Sequence, residues 1–155
     1  MAHVPERITD FLRGRRIAVA GVSRGTASAA NPVFRKLRDS GFEVFAVNPN
    51  ASMVEGAPCF PDLASVPGDL DGVVIATHPD VSLEVVRQAA ARKVPRVWFH
   101  RSFGAGSVSD AAVRECRAQG IPCIVGGCPL MYCAPVDVAH RCMRWWLGRR
   151  GRIDG

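Results

Sequence analysis

The alternation of short apolar runs with helical segments constrains the fold of this chain more than any other feature. The apolar runs are nearly continuous, as in strands that are covered on both faces, and they span residues 16–23, 42–49, 72–78, 96–102 and 122–127. Strands that alternate with helices at this spacing predict right-handed βαβ units and a parallel sheet. We therefore expect an α/β, Rossmann-like single domain, with a mostly parallel sheet of five to six strands and helices on both faces.

The segments between and around these runs refine the prediction. Asn31-Pro32 is typical of a helix N-cap followed by proline at the first helical position. The irregular stretch 53–71 has room for one short strand at Ala57–Phe60. An N-terminal helix at about 5–13 and a C-terminal helix at about 135–148 would pack outside the sheet, so that one domain spans 1–155. We expect one face of the C-terminal helix to be core: Val138, Ala139, Cys142 and Trp146.

Composition favours an ordinary cytoplasmic domain. The chain has 155 residues, enough for a sizeable core, and contains no apolar run of the roughly 18 residues that a membrane span needs. Its N-terminus lacks the apolar region of a secretory signal. The six cysteines include no CxxC pair, which favours reduced thiols over disulfides. Self-association stays possible.

The net charge of +6 comes from 18 arginines against only two lysines, and it fits either nucleic acid or a small polyanion such as a nucleotide. The C-terminal segment "RWWLGRRGR" mixes arginine with aromatic residues, a combination that can bind nucleic acid. One alternative function is therefore a nucleic-acid-binding accessory protein. Basic residues are also preferred at any helix C-terminus, which disfavours this alternative.

Small and polar residues follow the strands where ligands bind in open parallel sheets, beyond the carboxyl ends. After the first strand, Gly21 permits a tight turn, Ser23 offers a hydroxyl and Arg24 a forked cation, so this loop is a candidate phosphate cradle. It lacks the glycine pattern of a dinucleotide fingerprint. The second strand ends in "VNPN" without the carboxylate that holds the ribose of a nicotinamide cofactor. An adenine-dinucleotide enzyme or redox sensor is therefore disfavoured but remains an alternative.

The stretches "IAVAGVSR", "FEVFAVNP", "GVVIATHP" and "GGCPLM" together resemble the small stand-alone CoA-binding proteins of bacteria and archaea. The fold of these proteins is similar to the CoA-binding domain in the α subunit of succinyl-CoA synthetase, and the resemblance covers roughly residues 8–147. It implies that the chain binds CoA or an acyl-CoA without catalysing a reaction. The ligand-binding residues that it implies are Gly21, Ser23 and Arg24 at the phosphates, with Val22 between them, Val47, Asn48 and Pro49 beside the adenosine, and Ala76 and Thr77 on the opposite wall. His100 stands where many members have glutamine, which leaves the pantetheine end open, and the strand-end position adds Cys128 as a candidate there.

The chain departs from the synthetase pattern where no lysine follows "VNPN", which leaves the contact to the 3′-phosphate of CoA open. It contains no GxSxG, P-loop or HExxH motif. His78, His100 and Cys128 would meet at the strand ends, but they lack the close spacing of zinc ligands, so we expect no metal site. Cys128 is either a small residue that closes a strand before Pro129 or a thiol able to form a mixed disulfide with CoA.

Overall fold

A sheet of seven strands runs through the residues that the computed structural model describes, which are 4–25, 27–101 and 104–152. The strands are β1 (Arg16–Ala20), β2 (Glu43–Val47), β3 (Met53–Val54), β4 (Ala57–Phe60), β5 (Gly72–Ile75), β6 (Val97–Phe99) and β7 (Cys123–Val125). The helices are α1 (Glu6–Leu12), α2 (Ala30–Asp39), α3 (Pro79–Ala91), α4 (Asp110–Ala118) and α5 (Val138–Arg149), with a 3₁₀ turn at Pro129–Met131. The strand order is β3-β4-β2-β1-β5-β6-β7, and only β3 runs antiparallel to its neighbour.

The central strand β1 shows why the apolar runs become strands. It pairs in parallel with β2 on one side and with β5 on the other, so that Ala18 lies between Phe45 and Val73. Because successive side chains point to opposite faces, Val19 packs in one buried cluster and Ala18 in the other. Helices cover both faces, as predicted, and each large apolar side chain that they bury stabilises the fold by about 1.5–3 kcal/mol.

The sheet is wider than the predicted five to six strands because β3 and β4 form a hairpin at its edge. Glu55 and Gly56 make the two-residue connection with positive φ values of 50° and 71°, as a tight hairpin requires. The short strand expected at Ala57–Phe60 is present as β4. Its partner β3 has only two residues and therefore carries no periodic pattern that a sequence can reveal.

Helix starts differ from the sequence prediction in one informative case. The predicted N-cap, Asn31, lies inside the first turn of α2, because the helix begins at Ala30. The Asn31 side chain still satisfies a backbone N–H, since its Oδ1 accepts from Ser23 N at 2.9 Å. The residue thus holds the preceding loop rather than capping the helix.

The prediction of a core face on the C-terminal helix is wrong. α5 begins at Val138 rather than near 135, with Asp137 as its N-cap. The Val138 side chain is 72% exposed, Ala139 and Cys142 are also exposed, and Trp146 is half-buried. The helix contacts the 3₁₀ turn and buries Leu147 instead, with Met143 and Trp146 packed partly buried against the core. None of the helices in the described part of the chain is long and apolar enough to cross a membrane.

Candidate ligand-binding site

A cavity of about 1070 Å³ opens at the edge where the parallel strands β1, β2, β4, β5, β6 and β7 end. Of the residues predicted to bind a ligand, eight line this cavity: Gly21, Val47, Asn48, Pro49, Ala76, Thr77, His100 and Cys128. They come from five different connections after strands, which only a parallel sheet brings to one edge. We refer to this space as the strand-end cavity.

The other three predicted residues lie elsewhere. Val22 is fully buried in the core below the loop that follows β1. Ser23 and Arg24 line a separate depression of about 430 Å³ on the far side of the same loop, together with Arg35 and Glu55. We refer to this second space as the arginine depression. The loop after β1 therefore divides the predicted site into two neighbouring spaces.

Gly21 holds this loop in a conformation that other residues rarely adopt. Its φ is +104°, and a Cβ atom built there would lie 2.5 Å from the carbonyl oxygen of Ala76. The Ser28 hydroxyl donates to the Gly21 carbonyl at 2.9 Å and so closes the loop over the start of α2. Because Gly21 has no side chain, the backbone at the end of β1 itself forms part of the cavity wall.

The arginine depression is built around a small polar network. Asn31 Nδ2 donates to the Ser23 carbonyl at 2.7 Å and to Glu55 Oε1 at 2.8 Å. The same carboxylate oxygen accepts from Arg35 Nη1 at 2.7 Å. Glu55 thus balances the charge of Arg35, while Arg24 projects as an exposed side chain at the rim.

Asn48 has a different role from the one that the sequence suggests for an amide at this position. Its Nδ2 donates to the Val22 carbonyl at 2.9 Å, and its Oδ1 accepts from Asn50 N at 2.9 Å. The amide therefore fixes the loops after β1 and β2 relative to each other. Pro49 beside it is exposed and contributes an apolar surface to the cavity wall.

One end of the cavity lies between the loop after β4 and the side of α3, and sequence reasoning missed its residues. This end is formed by Pro61, Asp62, Val81, Glu84, Val85 and Gln88. Gln88 connects the two elements, because its Oε1 accepts from Leu63 N at 3.1 Å and its Nε2 donates to Glu84 at 3.2 Å. Hydrogen bonds from the Ser65 hydroxyl and backbone lower the pKa of Asp62. Asp62 follows a strand and could have been found by the strand-end rule, whereas the α3 residues carry no such signal.

The opposite end of the cavity contains hydroxyl groups that are already hydrogen-bonded within the protein. Ser107 Oγ donates to the carbonyl of Ile75 at 2.6 Å, and Ser82 Oγ donates to the Ser107 carbonyl at the same distance. Thr77 Oγ1 lies 3.2 Å from Ser82 Oγ. These bonds tie the end of β5 to the start of α3 and to the segment after β6, which makes this wall rigid.

Histidines at this end have very different surroundings. His100 is 8% exposed, and burial lowers its pKa to about 4, so the ring is neutral at neutral pH. His140, from the first turn of α5, has its Nδ1 2.6 Å from Asp137 Oδ2. His78 and Cys128 also line the cavity. Within the described ranges, no group of three or more His, Cys, Asp or Glu side chains is arranged to hold a metal ion.

Arginines of the C-terminal segment stack on the aromatic residues beside them. The Arg149 guanidinium lies 4.5 Å from the centre of the Trp145 ring, and that of Arg150 lies 4.2 Å from the Trp146 ring. These cation–π contacts use aromatic surface that would otherwise stack on bases. The arrangement gives the nucleic-acid alternative no additional support.

Known proteins share sequence with most of this chain. Residues 15–134 match the family model described as "CoA binding domain". The chain is 24% identical over 128 residues to YneT of Bacillus subtilis, an alignment that covers 83% of this chain and 87% of YneT. It is 26% identical over 89 residues to acetate–CoA ligase (ADP-forming) II of Archaeoglobus fulgidus, which covers 56% of this chain but only 13% of the ligase.

A solved structure of a conserved hypothetical protein from Pyrococcus furiosus superposes with a TM-score of 0.63 at 31% identity. The superposition covers 70% of this chain and 90% of the Pyrococcus protein. The match of the family model extends from the start of β1 past the 3₁₀ turn and thus includes every strand and the whole strand-end cavity except the contribution of α5. The chain is a member of the CoA binding domain family.

Proposed function

We propose that this protein binds CoA or an acyl-CoA in the strand-end cavity and that it acts as a binding protein rather than as a catalyst. The observation that carries the proposal is the extent of the cavity, whose lining runs from Pro61 and Asp62 after β4, past Gly21 after β1, to Cys128 after β7. A CoA molecule has an adenosine and a pantetheine arm on either side of its diphosphate. The cavity offers one space for each arm, with the N-terminus of α2 between them.

In this arrangement the adenosine lies at the end formed by β2, β4 and α3. Pro49 and Pro61 provide rigid apolar surfaces there, and Val81 and Val85 face them from α3. Such a slot suits a flat base. The pantetheine arm then runs towards the end formed by His100, Cys128, Leu130 and His140. Arg24, at the rim of the arginine depression, approaches the phosphates from outside the cavity.

We infer that the cavity does not catalyse a reaction because its hydroxyl groups are used to hold the structure together. The hydroxyls of Ser28, Thr77 and Ser107 are hydrogen-bonded within the protein and hold backbone segments in place. A general base works best with a pKa near the working pH, and His100 is far below it. These groups are suited to shaping a binding site.

One observation favours a second candidate, an adenine dinucleotide. The carboxylates of Asp62 and Glu84 line the adenosine end, although the sequence places no acid after β2. Carboxylates at this edge of a Rossmann-like sheet hold the ribose hydroxyls of nicotinamide cofactors. The proposal and this candidate differ in the second arm of the ligand, which is pantetheine in one case and a second nucleotide in the other.

Titration calorimetry with CoA, NAD⁺ and NADP⁺ tests the proposal directly. We expect CoA to bind at least about tenfold more tightly than either dinucleotide, a difference of about 1.4 kcal/mol. Native mass spectrometry of the protein as purified provides an independent test, because a co-purifying nucleotide identifies itself by its mass. Equal or tighter binding of NAD⁺ would instead support the dinucleotide candidate and overturn the proposal.

A further inference from the structure

The adenosine end of the strand-end cavity has an unusual charge for a site that would take a polyanion. Its two ionisable side chains, Asp62 and Glu84, are both acidic. Among the described residues that line the cavity, none is lysine or arginine. The net charge of +6 is therefore carried elsewhere on the molecule. The local field at this end opposes any additional negative charge.

Both carboxylates are held in place by neighbouring groups. Asp62 Oδ1 accepts from the backbone N and from the hydroxyl of Ser65, each at 2.8 Å, which keeps this side chain ionised and oriented. Glu84 accepts from Gln88, and Gln88 is itself bonded to the backbone of the loop after β4. The two acids thus line the same end of the cavity, one from the loop after β4 and the other from α3.

Neither Arg92 nor Arg35 is paired with these acids. Arg92, the residue that follows α3, does not line the cavity, and its Nη1 donates to the carbonyls of Leu63 and Val66 at 2.5 Å each. Arg35 belongs to the arginine depression and is paired with Glu55. The residue that follows Pro49 in the cavity wall is the uncharged Asn50.

We propose that this site selects an adenosine diphosphate whose ribose carries no phosphate, so that dephospho-CoA binds more tightly than CoA. The inference rests on the proposed function and refines it. A free 3′-hydroxyl can donate a hydrogen bond to a fixed carboxylate. A 3′-phosphate at the same place has no proton to donate and adds a charge of about −2 beside Asp62 and Glu84. The same two residues thus favour one ligand and repel the other.

Calorimetry with the full chain compares the two ligands. We expect dephospho-CoA to bind about tenfold more tightly than CoA at low ionic strength. The preference should narrow in about 1 M salt, because the Debye length falls to about 3 Å and screens like-charge repulsion. Equal binding of the two ligands, or tighter binding of CoA, would overturn the inference while leaving the proposed function intact. Binding of neither ligand would contradict the proposed function itself.

Two variants connect the preference to named residues. Glu84→Gln removes one charge from an exposed helix position, so it should raise the affinity for CoA about threefold and lower the affinity for dephospho-CoA, whose 3′-hydroxyl loses a charged acceptor. Asn50→Lys should strengthen CoA binding more than dephospho-CoA binding, because it adds a cation to the same wall.

Glu115→Gln is the matched control. Glu115 of α4 accepts from Gln119 four residues later at 2.9 Å, just as Glu84 accepts from Gln88, but it does not line the cavity. It should therefore leave the ligand preference unchanged. An equal shift in preference with Glu84→Gln and with Glu115→Gln would show a general effect of net charge and would overturn the assignment.

Discussion

The strand-end cavity and the arginine depression share one loop but differ in almost every physical property. The cavity is large, mainly apolar in its side chains, and its described lining contains no lysine or arginine. The depression is less than half as large and contains Arg24 and Arg35. In sequence the two sets of residues are interleaved, since Gly21 and Ser28 line the cavity whereas Ser23, Arg24 and Gly25 line the depression.

The loop after β1 therefore separates a large, mainly apolar cavity from a smaller depression that contains the arginines. A ligand with an uncharged body and a charged diphosphate can place each part in the region that suits it. In the proposed complex, the phosphate groups would lie near the N-terminus of α2, where backbone N–H groups also favour anions. The adenosine and pantetheine parts would then occupy a cavity that does not need basic side chains.

The largest expected effect is a loss of stability, and it should differ between the cavity side and the depression side of the loop after β1. Gly21→Ala should lower the free energy of unfolding by about 3 kcal/mol or more, because the new Cβ would overlap the Ala76 carbonyl and φ is +104°. Gly25→Ala, on the depression side, should change it by less than about 0.5 kcal/mol, since the nearest atom, Ser23 Oγ, lies 3.8 Å from its Cβ position. Urea denaturation of both variants measures the difference. Equal destabilisation would show that the loop is not rigid at Gly21.

The next prediction concerns how the stability of the protein depends on pH through the buried residue His100. His100 has a pKa lowered to about 4 by burial, so the unfolded chain takes up a proton at a higher pH than the folded protein does. The stability should therefore fall as the pH decreases from about 6.5 to about 4, by about 3 kcal/mol in total, and this contribution should be constant below that window.

Urea denaturation across this pH range tests the assignment of that slope to His100. His100→Gln should flatten the slope between pH 6.5 and 4. His78→Gln is the control, because His78 lines the same cavity but its side chain is 72% exposed. A slope that persists in His100→Gln, or that disappears in His78→Gln, would assign the titration to another group.

The residues behind these two predictions, Gly21 and His100, also illustrate which features of this molecule can be predicted from its sequence and which cannot. The apolar runs predict the parallel sheet correctly, because buried strands need uninterrupted Val, Ile and Phe. The strand-end rule then identifies residues that line the cavity, such as Gly21 and His100. The rule works because the carboxyl ends of parallel strands meet at one edge, whatever the loops do.

The remaining features depend on side-chain directions and on packing between distant segments. Glu84 and Gln88 look like ordinary helix-surface residues, and only the position of α3 beside the loop after β4 brings them into the cavity. Arg24 is next to Ser23 and close to Gly21 in sequence, yet the turn at Gly21 directs it into the neighbouring depression. The prediction for the exposed face of α5 is wrong because an apolar stripe does not tell which side of a helix meets the domain.

A smaller effect tests whether the arginine depression contributes to ligand binding. Arg24→Ala should weaken CoA binding about tenfold and reduce its salt dependence, because a charge-assisted hydrogen bond to a phosphate contributes about 1.5–3 kcal/mol. Calorimetry at two salt concentrations measures both quantities. The control is Arg114→Ala, an exposed arginine of α4 that lines neither space. If Arg24→Ala binds CoA as the control does, the depression is independent of the cavity.

The smallest effect is chemical and concerns Cys128 at the pantetheine end of the cavity. The residue is 3% exposed and lines the cavity, so we expect a disulfide reagent to reach its thiol through the cavity. CoA disulfide that binds in the cavity would hold its S–S bond near this thiol at a high effective concentration. The Cys128 thiolate would attack one sulfur, form a mixed disulfide with one CoA and release the other CoA as a thiolate.

Cys142 is exposed and would react with any disulfide, so the experiment uses a Cys142→Ser background. In that protein, CoA disulfide should modify Cys128 several-fold faster than glutathione disulfide does, and excess CoA should slow the reaction by competing for the cavity. The modification appears as the mass of one CoA and is mapped by peptide digestion. Cys59 and Cys133 are buried internal controls, and burial raises the pKa of both thiols. Equal rates with the two disulfides, or first labelling at Cys59 or Cys133, would mean that Cys128 only fills space at the end of β7 and that the pantetheine arm does not reach it.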